Sequence, residues 1–221
     1  MDHRTSHHWK LLILAGAIVS LLAWPGTSEA QTVTGQASAV QASVLGITTT
    51  LADSGTLGGT SDAREASGLT GSIPSLLRGE ALHAAAIGYP DEVDSEASLA
   101  NLGMTVAGTG ISADFVMSRA FAVLGGSSTG LTNIDGLSIG GAPVFPTGAP
   151  NQTLSFGVLQ VVLNEQIPSA DGITVNALHV RTIDGLTDVV IGSAKAGVSS
   201  SGSTSGGDGG ILPPLPLPPL F

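Results

Sequence analysis

Three strings in this chain hold residue types that could do chemistry, and the first is Gly126-Ser127-Ser128-Thr129-Gly130. It matches G-x-S-x-G, in which a strained strand-to-helix elbow lifts a serine hydroxyl toward an acyl carbon. Such an elbow needs a helix after it and a histidine base beside it. Here the turn-rich Leu131-Thr132-Asn133-Ile134-Asp135-Gly136 follows, and after residue 30 only His83 and His179 remain as bases. His179 sits beside Val180 in a predicted strand, where a histidine bonded to its neighbours is the ordinary role. Ser128 is therefore not assigned as a nucleophile, and a secreted hydrolase is the last of the readings.

The second string, Gly108-Thr109-Gly110-Ile111-Ser112-Ala113, fits the loose G-x-G-x-x-A form of a dinucleotide fingerprint. That form cradles a pyrophosphate only between a strand and a helix. The residues that follow alternate like a strand, so a hairpin turn is expected and no cofactor. The third, Asp91-Glu92-Val93-Asp94-Ser95-Glu96, gathers four carboxylates in six residues. These are the hard oxygen donors calcium takes, but the glycine-bearing spacing of an EF-hand loop is missing. A solvated acidic turn after Tyr89-Pro90 is the plain expectation, and an extracellular calcium- or small-ligand-binding module is the main alternative function. Two distant histidines without thiols give zinc no ligand set. Tryptophan is absent after Trp24, which removes the usual stacking surface of a sugar cleft. No catalytic, cofactor-binding or metal-ligating residue is assigned.

The elements that must carry these residues begin with an export signal. Arg4 and Lys10 precede an apolar run from Leu11 to Trp24, and Ser28-Glu29-Ala30 forms a small-x-small cleavage end. The run is too short to span a bilayer, and Pro25-Gly26 ends any helix after it. Residues 1–30 are thus expected to be a cleaved signal helix, and the protein secreted or displayed at the cell surface with no stable transmembrane segment. The chain has no cysteine, so neither a lipidated end nor a disulfide framework is available and stability must come from burial.

Beyond residue 30, five basic residues stand against fifteen acidic ones, a net of −10. A scattered handful of cations in such a field excludes nucleic acid and disfavours an anionic membrane. Gly, Ser, Thr and Val are abundant, and apolar residues alternate with polar ones. Ala100, Leu102, Met104 and Val106 share one face of a predicted strand over 98–106; Ile111, Ala113, Phe115 and Met117 share one face of the next. The turn between them is Ala107-Gly108-Thr109-Gly110. A second hairpin pairs 173–183 with 186–194 around Asp184-Gly185, a dipeptide suited to a type I′ turn. In its first arm the apolar phase shifts between Val175 and Leu178, which predicts either a bulge or two covered faces. Further strands are expected at 33–48, 80–87, 133–139 and 154–163. Alanine-rich stretches within 61–102 also admit a short helix, and 52–75 reads as a long loop or irregular strands.

The fold class expected is all-β: an antiparallel sandwich of the jelly-roll or immunoglobulin-like class over 31–197. Residues 198–210 read as a Gly/Ser linker, and 211–221, Ile-Leu-Pro-Pro-Leu-Pro-Leu-Pro-Pro-Leu-Phe, as a disordered, polyproline-like apolar tail open to docking.

Taken in order, Ala113-Asp114-Phe115-Val116, Ile134-Asp135-Gly136-Leu137, Gly148-Ala149-Pro150-Asn151-Gln152-Thr153, Leu163-Asn164-Glu165-Gln166, Val175-Asn176-Ala177-Leu178-His179-Val180 and Asp188-Val189-Val190-Ile191 resemble the choice-of-anchor P family of bacterial exported proteins. The resemblance covers most of 80–197. It implies export and surface display, joined to an attachment signal that varies among members, and it implies no catalytic mechanism. No LPxTG-like sorting motif is present, so covalent anchoring is not expected. The bottom-up role of Asn151, Asn164, Asn176 and His179 is to bridge turns and neighbouring strands with their polar groups. Together these readings predict a non-enzymatic structural or adhesive protein of the envelope or matrix, with an unidentified envelope, matrix or protein partner.

Overall fold

A computed structural model describes residues 31–200; the expected signal at 1–30 and the tail at 211–221 lie outside the described residues. Thirteen strands follow one another: β1 (Gln31–Val44), β2 (Ile47–Asp53), β3 (Ala63–Ile73), β4 (Leu77–Gly88), β5 (Glu92–Val106), β6 (Thr109–Val123), β7 (Thr129–Asp135), β8 (Ser138–Ile139), β9 (Ala142–Pro143), β10 (Gln152–Phe156), β11 (Leu159–Pro168), β12 (Gly172–Thr182) and β13 (Thr187–Ser200). They form two antiparallel sheets packed face to face, the sandwich expected. One runs β10-β11-β12-β13-β1-β2; the other runs β3-β4-β5-β6-β8-β9, with β7 also paired to β6. Neighbours are sequential except where β13 closes on β1 and where β8 pairs with β6 beyond β7, so the connections are meanders and not the Greek keys of jelly rolls.

Turn chemistry accounts for this order. Ala107 and Gly108 both take positive φ, 46° and 78°, giving the two-residue type I′ turn whose twist matches β5 and β6. The turn is shorter than the four residues expected. Between β12 and β13 the outcome differs in another way. Only Gly185 has positive φ, and a bond from its N–H to Thr182 O closes a four-residue loop, so Asp184-Gly185 is not a type I′ pair.

The alternation breaks once in each long strand, and the breaks line up. In the six-stranded sheet the register is uniform, which places Asn151, Asn164, Ala177, Gly192, Ala39 and Ala52 in one row across the strands. Four of these have left-handed backbone: Asn151 at 59°, Asn164 at 51°, Gly192 at 63° and Ala52 at 47°. The other sheet repeats the device at Ala81 (48°), Asn101 (49°) and Gly136 (64°), with a local register irregularity between β4 and β5. A left-handed residue turns the next side chain to the opposite face. β1 and β12 hold no left-handed residue themselves, but in register with Ala52, Gly192 and Asn164 on their neighbours their inward positions change too, from Val33 and Ala37 to Val40 and Ala42 on β1, and from Ile173 and Val175 to Leu178 and Val180 on β12. The phase shift read in 173–180 is this crease.

The same crease corrects several expectations. Ala100, Phe115 and Met117 leave the inner face, which passes from Leu99 to Leu102 on β5 and from Ala113 to Val116 on β6. Among the described residues no helix forms within 61–102; alanine's propensity yields to strand burial, with Ala84 and Ala86 fully inside. Residues 52–75, read as a long loop or irregular strands, hold the end of β2 and the whole of β3. The predicted strand at 133–139 is split by Gly136 into the end of β7 and the whole of β8. Residues 198–200, read as linker, belong to β13, where they pair with Gln31–Val33 and bury Val198.

Candidate functional site

Among the described residues, the crease assembles a cluster of residue types that catalysis commonly uses. In an unbroken strand, residues three apart point to opposite faces. Because the phase flips near Ala177, Asn176 and His179 emerge together on the outer face of the six-stranded sheet. Glu165 on β11 faces Asn176 in register, and Asp188 on β13 faces Arg181 beside His179. His179 Nδ1 lies 2.9 Å from Glu165 Oε2 and Nε2 lies 3.1 Å from Asp188 Oδ2. Asn176 Nδ2 donates to Glu165 Oε2 at 2.6 Å, and Ser193 Oγ donates to Asn176 Oδ1 at 2.8 Å.

These distances fix the chemistry. The His179 side chain is only 12% exposed, and each ring nitrogen meets a carboxylate. Hydrogen bonding to Glu165, aided by Asp188, raises the His179 pKa above its ordinary value, against the opposing effect of burial. The bond from His179, helped by Asn176, holds the Glu165 carboxyl below its own ordinary value. A protonated imidazole donating through both N–H groups has no lone pair for a proton or a metal. With both ring nitrogens turned to carboxylates, His179 staples β11, β12 and β13 across the crease. Glu165, Asp188 and Ser193 were not singled out from the sequence; the phase shift at 175–178 was the available signal that outward polar residues would converge there.

The amides act as expected. Asn151 Oδ1 accepts from the Gln166 N–H at 2.9 Å, extending the β10–β11 ladder by one side chain. Asn164 Nδ2 donates to Gly148 O at 2.9 Å, and Gln166 Nε2 reaches Gly130 O on β7 at 3.2 Å, which ties the two sheets together. Asn151-Gln152-Thr153 also has the N-x-T form of a glycosylation sequon, and its amide is committed to the fold.

The remaining strings are dispersed. Ser128 lies in the turn from β6 to β7, and a strand follows it, so the elbow is absent. Gly108 and Gly110 belong to the β5–β6 hairpin. The acidic string is not a turn but the start of β5: Glu92, Asp94 and Glu96 face outward while Val93 and Ser95 are buried. Asp94 is paired with Arg119. Among the described residues no three His, Cys, Asp or Glu side chains converge as a metal site would require. His83 faces Glu65 across β3 and β4 at 3.7 Å. Comparison with family models, with curated proteins and with solved structures finds no match to this chain.

Proposed function

We propose that this chain is a non-enzymatic exported or surface-associated β-sandwich with a structural or adhesive role in a bacterial envelope or matrix. The observation that carries the reading is the saturation of the Glu165–His179–Asp188 cluster. The less exposed of the two histidines among the described residues is held by two carboxylates with no serine hydroxyl at its ring nitrogens. The leader sequence supports export, and the resemblance to choice-of-anchor P proteins supports display. The apolar tail at 211–221 is the candidate docking device.

Fractionating a bacterial host into cytosol, periplasm, envelope and medium tests the reading, with mass spectrometry of the N-terminus. Processed protein beginning at Gln31, in the envelope or medium, is the expected result. Uncleaved protein confined to the cytosol would refute it. Deleting residues 211–221 should release envelope-bound protein; an unchanged distribution would remove the tail from the mechanism.

A further inference from the structure

The outer face of the seven-stranded sheet holds a furrow whose floor is a single cross-strand row. Ser72 pairs with Arg78, Arg78 with Gly103, Gly103 with Ser112, and Ser112 with Ser138. Four interstrand steps make the row about 19 Å long. Arg78 is the one long side chain in it. Two cavities, of about 620 and 490 Å³, meet at Ser72 and Arg78. The second is walled by Glu80 and Asn101, whose amide donates to the carboxylate at 2.8 Å.

Arg78 differs from the other arginines among the described residues. Arg64 is paired with Asp62, Arg119 with Asp94, and Arg181 bonds Gln160. Arg78 has neither an ion pair nor a side-chain hydrogen bond among these residues. Its guanidinium instead lies over Gly103, where a built Cβ would stand 3.2 Å from Nε. An unpaired guanidinium in a chain with an acidic excess of ten offers a planar fork to a carboxylate.

We infer that this furrow binds an extended acidic glycan, with Arg78 holding a carboxylate of a uronic acid residue and Ser72, Ser112 and Ser138 meeting its hydroxyls. The sheet face excludes a peptide recognised through its backbone, because the ladders already use the strands' N–H and C=O groups and only side chains are offered. The floor has no aromatic ring, so a neutral sugar lacks a stacking surface, whereas a charged sugar gains its affinity from the guanidinium. The general negative field makes that affinity modest and dependent on the local fork. This inference names the ligand of the adhesive reading and rests on that reading only for where the ligand is met; binding is measured on purified protein wherever the cell places it.

The test is calorimetric titration of the full chain with oligogalacturonate, with neutral dextran oligomers and with polyglutamate. Oligogalacturonate should bind and dextran should not. Arg78→Gln should weaken binding at least tenfold, and Arg78→Lys, which keeps charge but loses the fork, should fall between. Ser112→Leu, which blocks the furrow away from the cation, should also weaken it, with unchanged circular dichroism in all three variants. Absence of oligogalacturonate binding, or binding indifferent to Arg78→Gln and Ser112→Leu, would overturn the assignment. Equal binding of polyglutamate with the same sensitivity would replace the glycan with an acidic peptide and overturn it too.

Discussion

On one side of the crease the sandwich interior is filled by Leu102, Met104, Ile111, Leu163, Leu178 and Ile191; on the other a smaller cluster mixes Ala86, Ala120, Ala122, Ala194 and Ala196 with Val33, Leu57, Val93, Ile173, Val175 and Val198. The second cluster has fewer and on average smaller side chains, so the layer it fills is the thinner one. The backbones do approach at the boundary: a Cβ built on Gly192 would lie 3.6 Å from Ala97 O and Ser118 N of the facing sheet. The comparison suggests a division of labour. One half supplies most of the hydrophobic free energy, and the thin half sets the spacing of the sheets and carries both ends of the described chain, Gln31 and Ser200.

The largest expected effect breaks that comparison directly. Leu178→Ala removes a fully buried side chain from the thick half and should cost about 3–5 kcal/mol in denaturant unfolding. Val175→Ala, three residues away on the same strand in the thin half, should cost about half as much because less apolar volume is lost. Equal costs would mean that the two halves are energetically alike. The next effect concerns the boundary. Gly192→Ala forces an L side chain to φ 63° with its Cβ 3.4 Å from Ala177 Cβ, and should cost about 1–3 kcal/mol. Ala81→Gly relieves a left-handed alanine at 48° and should be neutral or stabilising, since about 1–2 kcal/mol of steric cost offsets about 0.5–1 kcal/mol of lost chain entropy.

The staple across the crease gives the comparison a pH dependence. His179 has its pKa raised above the ordinary 6.5 in the folded state. Its contribution is therefore complete below that value and is lost as pH rises through the raised one. Glu165 is lowered from 4.5, so its contribution is complete above that value and is lost as pH falls through the lowered one. The pair together should contribute most between pH 4.5 and 6.5. Melting temperature against pH should show a maximum in that window, and His179→Gln should flatten its alkaline side. A wild-type profile unchanged by His179→Gln would remove the staple.

Much of this fold was legible because alternation and turn residues act locally. The β5–β6 hairpin follows from glycine at 108 and a period of two on either side. What stayed hidden has one physical origin. A left-handed residue such as Ala81, Asn101 or Ala52 has no sequence mark comparable to a glycine, and alanine there opposes its own preference, so tertiary packing must hold it. The phase shift at 175–178 was visible, but its alignment with Ala39, Gly192 and Asn164 needed the register of four strands. For the same reason His179 was recognised as a bridging residue while its partners Glu165 and Asp188 were not. The furrow was equally hidden, since Ser72, Arg78, Gly103, Ser112 and Ser138 are neighbours only across strands.

The smallest effect sharpens the reading of the thin half. Ser95 and Ser118 point inward on β5 and β6 among alanines, and neither hydroxyl has a hydrogen-bond partner. A buried hydroxyl without a partner keeps its desolvation penalty and returns nothing for it. Ser118→Ala should therefore raise stability by about 1 kcal/mol, since the methyl fits where the Cβ already sits and only an unmatched oxygen is lost. The gain should appear as a higher denaturant midpoint at unchanged slope. A loss of stability instead would mean that the Ser118 hydroxyl binds an internal water between the sheets, and that the thin half is held by solvent as well as by close approach.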